Sequence, residues 1–331
     1  MLTAADLLHI PYTPDLTEAG IAYACRSLAS GHEYLGDFAM AHLRKIVADV
    51  AVELAFRRYL SEQATPFQVL ETEPFTRPDQ YDISLGGHRC KMKCCLVTRR
   101  DQIRQIRHNK SSLLQAQALV PIERFASEEA KPDDLYLFAF LLGLITVSPT
   151  EIEKALAAGQ PAALLHLLPK TWARPGNWTP FERLTIKSEC TVPITLELGG
   201  QDAERNLSVL TLELPSRQRL SVETNFHNLA YVRANRKPEA RIGLHAAQLG
   251  DTYLIPANAW GNLWVYGMEV IFTGWLTHEN YRRKASVLNA GSRTFLIEHT
   301  RAKNLLVPVA KLNPLGLLLQ KVRAWYAEKK A

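Results

Sequence analysis

The sequence predicts an α/β protein, a mixed sheet flanked by helices that carries an inserted antiparallel β module. Three observations predict it. Residues 33–59 have the period of a helix and lead into two alternating strands joined at Gly86-Gly87; short alternating runs separated by Gly, Pro and Asn fill residues 181–253; and an apolar strand-like stretch returns at residues 264–275. The chain has 331 residues, 47% hydrophobic and 22% charged, which supports an ordinary core and excludes a disordered or collagen-like chain.

In the first helix Leu43, Ile46, Val47, Val50, Leu54 and Phe56 recur at the 3.6-residue spacing, with no Pro or Gly after Gly36. Residues 65–78 hold three prolines and form a loop or edge segment. The return strand, residues 88–97, places Arg89, Lys91 and Lys93 on one face and Cys90, Met92 and Cys94 on the other, because strand side chains alternate. Residues 98–117 then form a helix with a basic start, and residues 135–140 a buried strand. Another helix spans residues 151–166, and residues 168–180, with Trp172, Trp178 and three prolines, make an irregular connection. Helices over residues 279–288 and 313–328 end the chain. The organisation expected is an N-terminal segment (1–32), a core (33–167), an inserted β-rich module (168–261) and the last core strand with C-terminal helices (262–331).

Cys25, Cys90, Cys94, Cys95 and Cys190 are too few and too crowded for a disulfide framework and fit a reducing compartment. The first thirty residues lack the basic start and unbroken apolar stretch of a signal peptide. The longest apolar run, residues 135–147, falls short of the roughly twenty residues of a membrane span. A cytoplasmic protein without a membrane partner is expected.

The net charge of +6 suits a polyanionic partner, and its distribution sharpens the point. Arg99, Arg100, Arg104, Arg107 and Lys110 form the densest basic stretch, opposed only by Asp101. Arg100, Arg104 and Arg107 share one helical face, a spacing suited to successive phosphates, although a merely solvated face has the same pattern. His88, Cys90, Cys94 and Cys95 do not make a zinc site, because no second ligand pair exists. Trp172 and Trp178 are either core residues or platforms for exposed bases.

The hairpin from Asp82 to Lys93, preceded by a long helix with Glu53 on its inner edge, resembles the core of the PD-(D/E)XK nuclease superfamily, the restriction-endonuclease-like fold. Asp133-Asp134-Leu135-Tyr136-Leu137-Phe138 looks like the following core strand, and Gly274-Trp275-Leu276-Thr277-His278-Glu279 like the late strand-to-helix step. The resemblance covers residues 33–146 and 262–300 and implies DNA as partner, a place in restriction or defence against foreign DNA, and Mg²⁺ or Mn²⁺ if the site is active. Asp82 would be a metal ligand, Glu53 the helix carboxylate and second ligand, and Lys93 the lysine beside the attacking water in a metal-dependent endonuclease. Lys91 stands where such nucleases carry an acid. Either the site has lost hydrolysis and keeps a basic DNA-binding surface, or a second acid such as Glu53 or Asp79 completes it; a non-catalytic scaffold subunit of a larger complex, with protein partners, is a third possibility. No small-molecule cofactor is expected. A plain cross-strand ion pair would also account for Asp82 and Lys93.

Overall fold

The computed structural model describes residues 2–30, 39–70, 83–127, 130–250 and 252–328. The N-terminal segment is more structured than its sequence suggests, with strand β1 (Leu8–Pro11) leading into helix α1 (Pro14–Ala29). Pro14 at the helix start has no N–H to lose there, and Asp15 faces the positive end of the helix dipole. The expected first helix is α2 (Ala39–Glu62), and residues 33–38 of that expectation lie outside the described residues. A Cβ on Gly20 would sit 2.6 Å from the Val47 carbonyl oxygen, so glycine is what lets α1 close directly onto α2.

Next come β2 (Gln68–Val69), β3 (Ile83–Leu85) and β4 (His88–Val97), the last two forming the expected hairpin. The single helix expected over residues 98–117 is two pieces, α3 (Arg100–His108) and a 3-10 segment (Lys110–Gln115). Asn109 breaks it with an extended backbone and a side-chain oxygen that accepts from the Ser111 N–H at 3.1 Å. Strand β5 (Gln117–Pro121), helix α4 (Ile122–Ser127) and strand β6 (Leu135–Ile145) follow. The helix expected over residues 151–166 stops early as α5 (Pro149–Ala157), and after Gly159-Gln160-Pro161 the chain becomes β7 (Leu164–Leu167).

The β module contains α6 (Lys170–Ala173), β8 (Arg183–Ser188), β9 (Ile194–Gln201), β10 (Leu207–Leu214), β11 (Arg219–Glu223), β12 (Asn228–Ala234), β13 (Ile242–Ala246), β14 (Thr252–Ile255) and β15 (Gly261–Asn262). The chain ends with β16 (Val265–Thr277), α7 (His278–Lys284), β17 (Ser286–Leu288), β18 (Asn304–Pro308) and α8 (Leu315–Glu328).

Six strands form the central mixed sheet, in the order β1-β16-β6-β4-β3-β2. Strand β4 runs parallel to β6, and β16 returns after the β module to pair antiparallel along the whole of β6. Leu135 to Leu142 are all buried, as a strand covered on both faces requires. The module is a sandwich of sheets β10-β9-β12-β7-β15 and β11-β8-β13-β14 around a core that includes Phe181, Leu184, Leu198, Phe226 and Leu244. Its first sheet takes in β7, so the module begins ahead of residue 168.

Three cores set the layers. The four-stranded sheet packs on the five-stranded sheet, whose other face meets α1 through Ala230 and Tyr231. Helices α1 and α2 fill the layer between it and the central sheet. The far face of the central sheet is covered by α3, α7 and the small sheet β17-β18-β5, through Ile103, Ile106, Tyr281 and Val307. The module therefore has its own core yet shares a second one with the helices, and does not stand apart. Among the described residues no helix is long and apolar enough to cross a membrane.

Candidate nucleic-acid interface

Alternation along β4 divides the hairpin chemistry between two faces of the central sheet. Cys90, Met92, Cys94 and Leu96 belong to the core under α2. Lys91 and Lys93 are in register with Tyr136 and Phe138, which belong to the opposite core, under α3 and α7. Lys91 is buried and Lys93 half-buried, with its Nζ 5.3 Å from the centre of the Tyr136 ring. A cation over an aromatic face at this distance gains about 0.5–2 kcal/mol, more as water is excluded. Tyr136 itself belongs to an aromatic group with Phe138, Tyr281 and His278, whose imidazole stacks on Phe125 at 4.4 Å.

Glu53 stands on α2, across the sheet from the two lysines. It is buried, and its Oε1 lies 3.9 Å from Nη1 of Arg57 one helical turn on. The expectation that Glu53 and Lys93 meet at one metal is thus corrected. The helix spacing places Glu53 on a buried edge, but α2 covers the face of β4 that carries Cys90 and Met92. Asp82 and the alternative acid Asp79 lie outside the described residues. Among the described residues no group of three or more His, Cys, Asp or Glu side chains is arranged to hold a metal. Lys91 and Lys93 put two ammonium groups on one face of β4, two residues apart along the strand.

Helix α3 follows β4 directly and lies on the lysine side of the sheet. Ile103 and Ile106 are buried beneath it, each contributing about 1.5–3 kcal/mol of apolar burial, and that anchorage turns the basic residues outward. The five cations are not equivalent. Arg99 is bound to Asp101 and Glu298, with Nη2 2.7 Å from Asp101 Oδ2. Arg107 donates through Nε to Glu269 Oε1 at 3.0 Å. Arg100, Arg104 and Lys110 are exposed and make no ion pair with a described residue. Arg100 and Arg104 are one turn apart, about 6 Å along the axis.

Glu269, on β16, is the counter-charge of this face. Its Oε2 is 3.1 Å from Nδ1 of His9 on the neighbouring edge strand, while Oε1 takes the Arg107 hydrogen bond. Partial burial alone would raise its carboxyl pKa, but the hydrogen bonds and charges of His9 and Arg107 outweigh it and hold the group below the ordinary glutamate range. Arg282, on the exposed side of α7, adds a cation to the same layer that the sequence pattern alone did not single out. Its signal was the run Arg282-Arg283-Lys284 at a helix C-terminus, where the dipole favours cations.

At the other end of β4, His88 Nδ1 lies 3.0 Å from Asp133 Oδ2, and the imidazole packs on Trp325 of α8 with ring centres 4.4 Å apart. Of the two tryptophans weighed as stacking platforms, Trp172 is buried in the sandwich core. Trp178 is half-buried, its Nε1 donating to the Ala203 carbonyl at 3.0 Å and its ring covered by the Arg205 guanidinium at 4.7 Å.

The thiols on β4 are not poised for chemistry. Burial pushes Cys95 up to about 11 and Cys94 higher still, with the nearby Lys45 only partly offsetting it. No family model matches the chain, and neither a curated protein nor a solved structure matches it.

Proposed function

We propose that this chain is a cytoplasmic DNA-binding protein with a PD-(D/E)XK nuclease-like fold, serving in restriction or defence against foreign DNA, with a metal site too weak for efficient hydrolysis. One observation carries the reading: Arg100 and Arg104 point outward from a helix anchored on the same side of the central sheet as Lys91 and Lys93. Cations held on a rigid element, with no ion pair to a described residue, are what a phosphate backbone selects. The order of helix, hairpin, basic helix and central strand supports the nuclease-like part, and Lys91 in place of an acid supports the weakness of the metal site. Contacts to phosphate from α3 fix position and carry no sequence information.

The test is incubation of the purified protein with supercoiled plasmid and with single-stranded DNA, in Mg²⁺, Mn²⁺ or EDTA, followed by native and denaturing gels. Retarded but uncut DNA in all three conditions is the result expected. Efficient cleavage in Mg²⁺ or Mn²⁺ that EDTA abolishes and Asp82→Ala removes would instead establish a metal-dependent endonuclease whose second acid comes from outside the lysine face.

A further inference from the structure

Strand β10 is the outer strand of the five-stranded sheet and, at eight residues, the longest edge strand among the described residues. It pairs with β9 without a bulge and carries no Pro, Lys or Arg, the residues that usually blunt a free edge. The phase of the ladder shows which groups are free. The Asp202 N–H donates to the Asn206 carbonyl at 3.1 Å, which makes Gln201 and Leu207 a non-hydrogen-bonded pair. Ser208, Leu210, Leu212 and Leu214 therefore bond to β9, and Leu207, Val209, Thr211 and Glu213 turn their N–H and C=O groups to the open edge. Among the described residues no other backbone group bonds to them.

The side chains leave the same edge open. Leu207 and Val209 are 42% and 48% exposed. The turn at 215–218 joins β10 to β11, the edge strand of the second sheet. Leu210 on β10 and Leu220 and Val222 on β11 pack on the sandwich core yet stay half-buried.

We propose that β10 is the contact of a symmetric dimer, in which β10 of a second copy adds antiparallel and joins two five-stranded sheets into one of ten strands. A second copy is the occupant this edge selects, because it is self-complementary about a twofold axis through Leu210 and normal to the sheet. Val209 then faces Thr211 of the second copy and Leu207 faces Glu213, so all four outward residues of each strand form hydrogen-bonded pairs and core faces stay on one side. The two Glu213 carboxylates, the only charged side chains of β10, stand about 20 Å apart along the strands. Leu210 meets its own copy as a non-hydrogen-bonded pair, where side chains approach most closely, and so extends the half-covered end of the core. The proposal does not rest on the DNA-binding reading.

Sedimentation velocity of the full chain from about 5 to 200 µM tests it. A reversible dimer of the 37.2 kDa chain is expected. Val209→Lys puts a charge on the edge, and Thr211→Pro removes an outward N–H without touching the β9 ladder. Each should raise the dimer dissociation constant by about tenfold or more while the circular dichroism spectrum stays unchanged. Should either variant not fold, Leu210→Cys decides. A Cα–Cα distance of about 4.5 Å at the axis suits a disulfide, so air oxidation with copper phenanthroline should link two chains beyond the level that the native cysteines give in wild type. Arg100→Ala/Arg104→Ala should leave the dimer intact, which keeps its failure distinguishable from failure of DNA binding. A monomer over the whole range, a dimer indifferent to both edge substitutions, or no cross-link through Leu210→Cys would overturn the proposal.

Discussion

Arg107 gives its Nε hydrogen bond to Glu269 across 162 positions of sequence, so a residue of the basic helix is held by an acid of the central sheet. The pair divides the α3 cations into those already neutralised and those left for a phosphate backbone. Glu269→Gln removes the competing charge. DNA affinity should rise by about two- to fivefold at low salt, and the slope of log K against log salt should steepen by up to about 0.9 as Arg107 becomes available to a phosphate. Fluorescence anisotropy at several salt concentrations measures both.

The same glutamate makes stability depend on pH. Its folded pKa lies below the ordinary value of 4.5, so the unfolded chain binds the proton more readily. The stabilisation is therefore fully present above that ordinary value and is lost as pH falls through the depressed folded value. Urea denaturation from pH 6 downward should show Glu269→Gln less stable than wild type at pH 6, with the difference shrinking toward acid. A difference that grew toward acid would contradict the sign.

Gly86 has a φ of +64°, and an added Cβ would lie 2.4 Å from the Trp325 ring of α8. Gly86→Ala should cost about 2–3 kcal/mol, from left-handed strain together with displacement of that ring. Adding Trp325→Ala should remove the steric part only, so the double variant should be more stable than the sum of the two single effects implies. Thermal denaturation of the four proteins measures it.

Lys91→Glu reverses the charge at the position where the resemblance expects an acid. Mn²⁺ affinity, followed by calorimetry, should rise by about tenfold or more, because a repulsion of several kcal/mol becomes an attraction. Cleavage should remain slow, since α2 carries Glu53 on the other face of the sheet and the helix carboxylate that the resemblance expects does not join Asp82 and the new glutamate.

The central sheet was legible in the sequence because its signals are local or strongly periodic. The all-buried run of β6, the Gly86-Gly87 hairpin and the return of β16 are each carried by contiguous residues. Helix boundaries were less legible. Residues 98–117 have one apolar period, but the Asn109 side chain competes for the backbone and ends α3. Strand β7 was hidden inside a helical pattern because Leu164-Leu165-His166-Leu167 suits either state until β12 and β15 flank it. Helix α1 was hidden because its apolar positions are interrupted by Asp15 and Glu18, and its burial comes from α2 and the module sheet.

The candidate site divides in the same way. Strand alternation alone places Lys91 and Lys93 on one face. Which face α2 covers is a tertiary fact, and it removes Glu53 from the lysines. The basic helix and its local acid Asp101 were visible as composition, but Glu269 on Arg107 and Glu298, the second acid on Arg99, come from far along the chain.

The most direct test of the DNA-binding account is the salt dependence of duplex DNA binding by wild type and by Arg100→Ala/Arg104→Ala. Removing one arginine–phosphate ion pair lowers the slope of log K against log salt by about 0.9, so the double variant should bind more weakly on every sequence, with a slope flatter by about 1.8. An unchanged slope, or no DNA binding by the wild type at low salt, would contradict the account.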